Sequence, residues 1–174
     1  MSMVEVTINS IRVSLTGQYR LVVLKEVDVE RYLLIYISPE IADAIHYQLQ
    51  EVVVARPLTH DLLKNMIAHL GGRVSHIVIN DLHDSVYYAK IIIDRDGQSL
   101  EIDARPSDAI ALAVRTGAKL FVDEQIMADV SIAPEVGLDL ETGAIIESNA
   151  EVEGEEDLEA FRDFVDSLDL DDLA

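Results

Sequence analysis

Apolar and polar residues alternate through residues 4–13 and 19–27, a period of two that predicts strands with one face on a core. Residues 32–37 form an unbroken apolar run of strand length. Ser38 and Pro39 then open a predicted helix reaching about Val53, with serine as cap and proline at the first helical position. Thr59 caps a second predicted helix, which carries the apolar stripe Leu62, Leu63, Met66, Ile67 and Leu70 before Gly71-Gly72 stops it. Strands follow over 74–79 and 87–93, and Asp94-Arg-Asp-Gly97 turns the chain into another over 100–103. The Ala-rich run 109–114 predicts a slim helix that can lie close to a sheet, ended by Gly117. A short strand over 120–122 and a short helix near 124–128 complete the pattern. The expected fold is α+β: a mostly antiparallel sheet with packed helices.

The order of elements repeats. Ile37-Ser-Pro-Glu-Ile-Ala-Asp-Ala-Ile45 and Asp103-Ala-Arg-Pro-Ser-Asp-Ala-Ile110 each follow three strand candidates. One explanation is a duplicated three-strand-plus-helix unit; chance similarity between Ala- and Ile-rich segments is the other.

Composition changes the picture at the C-terminal end. Residues 150–174 hold eleven acids and one base, Arg162, so they supply −10 of the formal −20. A domain over 1–136 followed by an acidic linker and an amphipathic helix over 137–174 is the expected organisation. Leu158, Phe161, Phe164, Val165 and Leu168 give that helix an apolar stripe, for docking on its own domain, a sister subunit or a protein partner. Cysteine is absent, which excludes disulfides and thiolate metal sites. With no signal-peptide pattern and no membrane-length apolar run, a cytoplasmic protein is expected. Several strands without evident edge protection point to a homo-oligomer. The acidic balance argues against tight, non-specific binding to nucleic acid, whose affinity rests on phosphate contacts.

Candidate chemistry gathers on Glu101-Ile-Asp-Ala-Arg-Pro-Ser-Asp108, at a predicted strand-to-helix turn. Alternation puts Glu101 and Asp103 on one face and Ile102 on the other, with Arg105 continuing the charged face. Ser107 is the expected N-cap. Asp103 and Asp108, with Glu101 nearby, form a candidate site for Mg²⁺ or Mn²⁺. An acid in a first helical turn also satisfies the dipole alone, and Asp103 can simply pair with Arg105. Arg105, Arg56 and the N–H groups near Ser107 are candidate phosphate ligands. His60, beside the Thr59 cap, is the candidate general acid or base. A histidine that merely holds the Arg56-Pro57 loop would fit the same pattern.

Several segments together resemble the bifunctional nuclease family. They are Arg56-Pro-Leu-Thr-His-Asp-Leu62, Ile79-Asn-Asp-Leu-His-Asp84, Val86-Tyr-Tyr-Ala89, Ile102-Asp-Ala-Arg-Pro-Ser-Asp-Ala-Ile-Ala-Leu112 and Phe121-Val-Asp-Glu124. The likeness covers most of residues 4–130; Lys119-Leu120 departs from it, where the family commonly has Pro-Ile. It implies an α+β domain with DNase and RNase activity, hence DNA or RNA as substrate, and it adds weight to His60; with Asp103 and Asp108, nominated on their own chemistry, His60 makes the candidate catalytic set. The competing expectation is a non-catalytic anion-binding, regulatory or scaffold protein.

Overall fold

The computed structural model describes residues 2–13 and 18–133. The expected boundary at 136/137, the acidic linker and the Phe161/Phe164 helix lie outside the described residues. Seven strands form one sheet: β1 (Met3–Val13), β2 (Arg20–Glu26), β3 (Tyr32–Ile37), β4 (Gly72–His83), β5 (Val86–Arg95), β6 (Gln98–Ala104) and β7 (Lys119–Asp123). Helices α1 (Pro39–Leu49), α2 (Thr59–His69) and α3 (Pro106–Thr116) pack on one face, and α4 (Glu124–Val130) closes the described chain. The spatial order is β3-β2-β1-β7-β4-β5-β6. All pairings are antiparallel except β4 with β7. The fold is therefore α+β, as the alternation implied.

Two antiparallel meanders, β1-β2-β3 and β4-β5-β6, each run into a helix, α1 and α3, and β7 joins them by pairing with both β1 and β4. The repeated order of elements is thus present in the architecture. Tight turns make the second meander. Asp84 and Ser85 connect β4 to β5 with φ of 49° and 63°, and Asp96 and Gly97 connect β5 to β6 with φ of 51° and 76°. Two successive residues at positive φ match the twist of a two-residue hairpin.

The core lies between the sheet and the three helices. Val22, Leu24, Leu33, Ile35, Ile77, Ile79, Ala89 and Ile91 meet Ile45, Ile110 and Leu112 there. Alanines 109, 111 and 113 are buried, so α3 seats its backbone close to the strands. Gly72 belongs to the same close packing, since a Cβ there would lie 2.9 Å from Ile93 Cγ2 and 3.2 Å from Ile67 Cγ2.

Three helix boundaries differ from the sequence expectation. The first helix stops at Leu49, not near Val53, because Glu51 takes φ of 52°, which a right-handed helix cannot use. The N-cap of α2 is Leu58 and Thr59 is already helical. Asp61, three residues on, accepts the Leu58 backbone N–H at 2.8 Å, so the first turn is closed from within. Likewise Arg105, not Ser107, caps α3, with Pro106 at the first helical position and Ser107 buried behind it.

Candidate active site

The N-termini of α2 and α3 point toward the same place. His60, in the first turn of α2, directs Nε2 to Asp108 Oδ1 at 3.1 Å, and Arg105 Nε donates to Asp108 Oδ2 at 2.7 Å. One carboxylate thus holds a histidine 48 positions away in sequence and the arginine that caps its own helix. His60 is buried, whereas the Arg105 side chain is 70% exposed. Burial works to raise the Asp108 carboxyl, but hydrogen bonds from Arg105 and His60 outweigh it and hold the group below the ordinary aspartate value. An ionised Asp108 accepts from Nε2–H, which leaves the lone pair of a neutral ring on Nδ1. Among the described residues Nδ1 has no hydrogen-bond partner.

These three side chains line a cavity of about 700 Å³. Its other walls are Glu40, Asp43 and Tyr47 of α1 and the Pro57–Thr59 approach to α2. Arg56 precedes that approach, is exposed and makes no ion pair among the described residues. A second cavity, of about 300 Å³, shares Arg105 and Ile41 with the first. It takes Ile35–Ile37 from β3 and Ser85–Tyr87 from the β4–β5 turn, four or more strands away in the sheet order, so the sheet must bend around its helices. Ser107 lines this second cavity.

Glu101 and Asp103 do not join the cluster. Their register partners on β5 are Ile92 and Lys90, which alternate with the core residues Ala89 and Ile91. Both acids therefore share a face, as the alternation expected, but that face lies away from the helices, while Asp108 sits in the helical layer. Lys90 Nζ donates to Glu101 Oε2 at 2.7 Å. The candidate Mg²⁺ or Mn²⁺ set of Glu101, Asp103 and Asp108 is thus split across the sheet. No group of three or more His, Asp or Glu among the described residues is arranged to hold a metal ion. Arg105 also departs from the expected face, because the turn at Pro106 carries it to Asp108.

Residues 22–135 match the bifunctional nuclease domain. The chain belongs to that family. Uncharacterized protein Rv1829 of Mycobacterium tuberculosis (strain ATCC 25618 / H37Rv) is 39% identical over 124 residues, which cover 71% of this chain and 74% of that protein. Bifunctional nuclease 2 of Oryza sativa subsp. japonica is 36% identical over 70 residues, 38% of this chain and 22% of the plant protein. Bifunctional nuclease 1 of Arabidopsis thaliana is 28% identical over 81 residues, 45% of this chain and 25% of the relative. The matched segments thus make up 22% and 25% of these two plant proteins. No helix among the described residues is long and apolar enough to cross a membrane.

The sequence reading missed what holds this bifunctional nuclease domain's site in place. Arg115, in the last turn of α3, is buried in the core. Its Nε donates to Asp61 Oδ1 at 2.6 Å, and its terminal nitrogens donate to the carbonyls of Ala111 and Ala44. One guanidinium therefore joins all three helices, and its acid partner is the residue after His60. Burial opposes ionisation of Asp61, but the Leu58 N–H and Arg115 prevail and lower its carboxyl below the usual range.

Proposed function

We propose that this chain hydrolyses phosphodiester bonds in DNA and RNA. The supporting observation is the His60–Asp108–Arg105 network on the wall of a cavity in a bifunctional nuclease domain. Asp108 fixes the ring of His60, whose free Nδ1 takes the proton from the attacking water. Only Nε of Arg105 is engaged by Asp108, so its two terminal nitrogens are left to grip the scissile phosphate. Arg56 supplies a second positive charge at the approach. Ser107 is left out of the chemistry because it is buried in the neighbouring cavity. A divalent ion would polarise a phosphoryl oxygen and help to activate water. The carboxylates of Glu101, Asp103 and Asp108 do not fit such an ion, because the first two lie across the sheet from the third.

A non-catalytic anion-binding or regulatory role is the second reading. It is favoured by the formal charge of −20 and by Glu40 and Asp43 on the cavity wall, which oppose a phosphate.

The two readings separate in a cleavage assay on labelled DNA and RNA strands, run with Mg²⁺, with Mn²⁺ and with EDTA. His60→Ala and Asp108→Asn, purified in parallel with the wild type, should lose about 10²–10⁴-fold in rate, the usual contribution of a positioned acid or base. Equal cleavage by wild type and His60→Ala would overturn the nuclease assignment.

A further inference from the structure

The second cavity has walls unlike those of the first. Ile37, Ile41, Val86 and Pro106 make it largely apolar, and Tyr36 of β3 and Tyr87 of β5 are among the residues that line it. Arg105 lines both cavities. A phosphate gripped by Arg105 would therefore carry its nucleoside to the mouth of an apolar, tyrosine-bearing recess. At about 300 Å³ the recess lies at the lower end of small-molecule sites and cannot take a base pair. A base can enter it only after leaving its stack.

Charge strengthens the argument. The described site offers phosphates two arginines and no basic stripe, on a chain of formal charge −20. Affinity for nucleic acid must then come mainly from something other than counterion release. Stacking and apolar contact with an unpaired base meet that need without selecting sequence, because every base has a π face.

We propose that the cavity between β3 and the β4–β5 turn is a nucleobase subsite. It holds the unpaired base next to the phosphate at Arg105, so the substrate class is single-stranded nucleic acid or a frayed end, not an intact duplex. The subsite deepens the nuclease reading and rests on it for the placement of the phosphate.

Binding tests the subsite independently of cleavage. Fluorescence anisotropy in EDTA would compare a labelled single-stranded oligodeoxynucleotide, the same strand with abasic residues, and its duplex. The expected result is at least about ten-fold tighter binding of the base-bearing single strand than of either competitor. Val86→Trp, at an exposed hairpin position, should fill the recess and abolish that preference. Tyr36→Ala, on a side chain 63% exposed, is a second variant that leaves the core untouched and should weaken the preference. Circular dichroism melting confirms that each variant is folded. Equal binding of base-bearing and abasic strands, a preference unchanged in both variants, or no binding at all would overturn the subsite. Cleavage followed in the same preparations with Mg²⁺ or Mn²⁺ reports separately on the nuclease reading: a base preference without cleavage would sink that reading alone.

Discussion

Removing Asp61 should cost more than removing Arg115, although the two form one ion pair. The Arg115 side chain is 2% exposed and that of Asp61 is 25% exposed, so loss of the acid strands a cation that water cannot reach. Breaking a buried pair from one side typically costs about 3–5 kcal/mol. Asp61→Ala also takes the acceptor from the Leu58 N–H, a helix-cap interaction of about 1 kcal/mol. Arg115→Met leaves a milder defect. Asp61 keeps the Leu58 N–H and partial access to water, and the carbonyls of Ala44 and Ala111 already sit inside helices. That variant should lose about 1–2 kcal/mol, the scale of one unmet polar group. Urea unfolding followed by circular dichroism measures both, and a loss near 4 kcal/mol would lower Tm by on the order of 10 °C. Equal losses, or an Arg115→Met loss exceeding that of Asp61→Ala, would refute the asymmetry. If both losses fall below about 1 kcal/mol, the three helices are not held by this guanidinium at all.

Further outcomes follow from the same geometry. Asp61 and Asp108 both titrate below the ordinary aspartate value of about 3.9, so the stability they confer is complete above that pH and drains away as pH falls through their lower folded values. An Asp61→Asn, Asp108→Asn double variant should therefore show a flatter acid limb in stability measured below about pH 4. Gly72→Ala would push a methyl against Ile93 and Ile67, and overpacking of this kind costs about 1–3 kcal/mol in urea unfolding; a neutral result would mean that α2 can shift freely off β4. If Arg56 and Arg105 make the phosphate contacts, single-strand affinity should fall with salt at a log–log slope of about −1.4, from roughly 0.7 per contact. A slope several times steeper would reveal a basic surface that the site does not account for. Glu101→Gln, on the far face of the sheet, should leave cleavage unchanged; a large loss of rate would return that face to the chemistry.

Much of the fold was legible because its signals are local. Alternation gave the strands, the stripe beginning at Leu62 gave α2, and Asp96-Gly97 gave a hairpin. Asp84-Ser85 makes an equally tight hairpin without the glycine that usually signals one, so the expected strand over 74–79 falls short of β4, which runs to His83. The proline rule that placed the cap at Ser38 also places one at Arg105, had it been applied there in preference to the commoner serine cap at 107. His60 and Asp108 could each be nominated from a first-turn position, but nothing along the chain says that α2 and α3 begin side by side. The expectation that Asp103 works with Asp108 failed for a related reason. Five residues apart, they straddle a strand-to-helix junction that sends the strand's charged face and the helix's first turn to opposite sides of the sheet.

The insertion of β7 between β1 and β4 makes assembly depend on a short segment near the end of the described chain. During synthesis both meanders and their helices emerge before residues 119–123 do, and β1 and β4 meanwhile each carry an unpaired edge. Such edges template association with other chains. Joining them late sets contacts between positions as distant as Met3 and Asp123, and contacts of that span close slowly. Lys119–Asp123 therefore acts as the latch of the molecule. Its arrival turns two adhesive half-sheets into one continuous wall, and damage to it would surface first as aggregation of newly made chains.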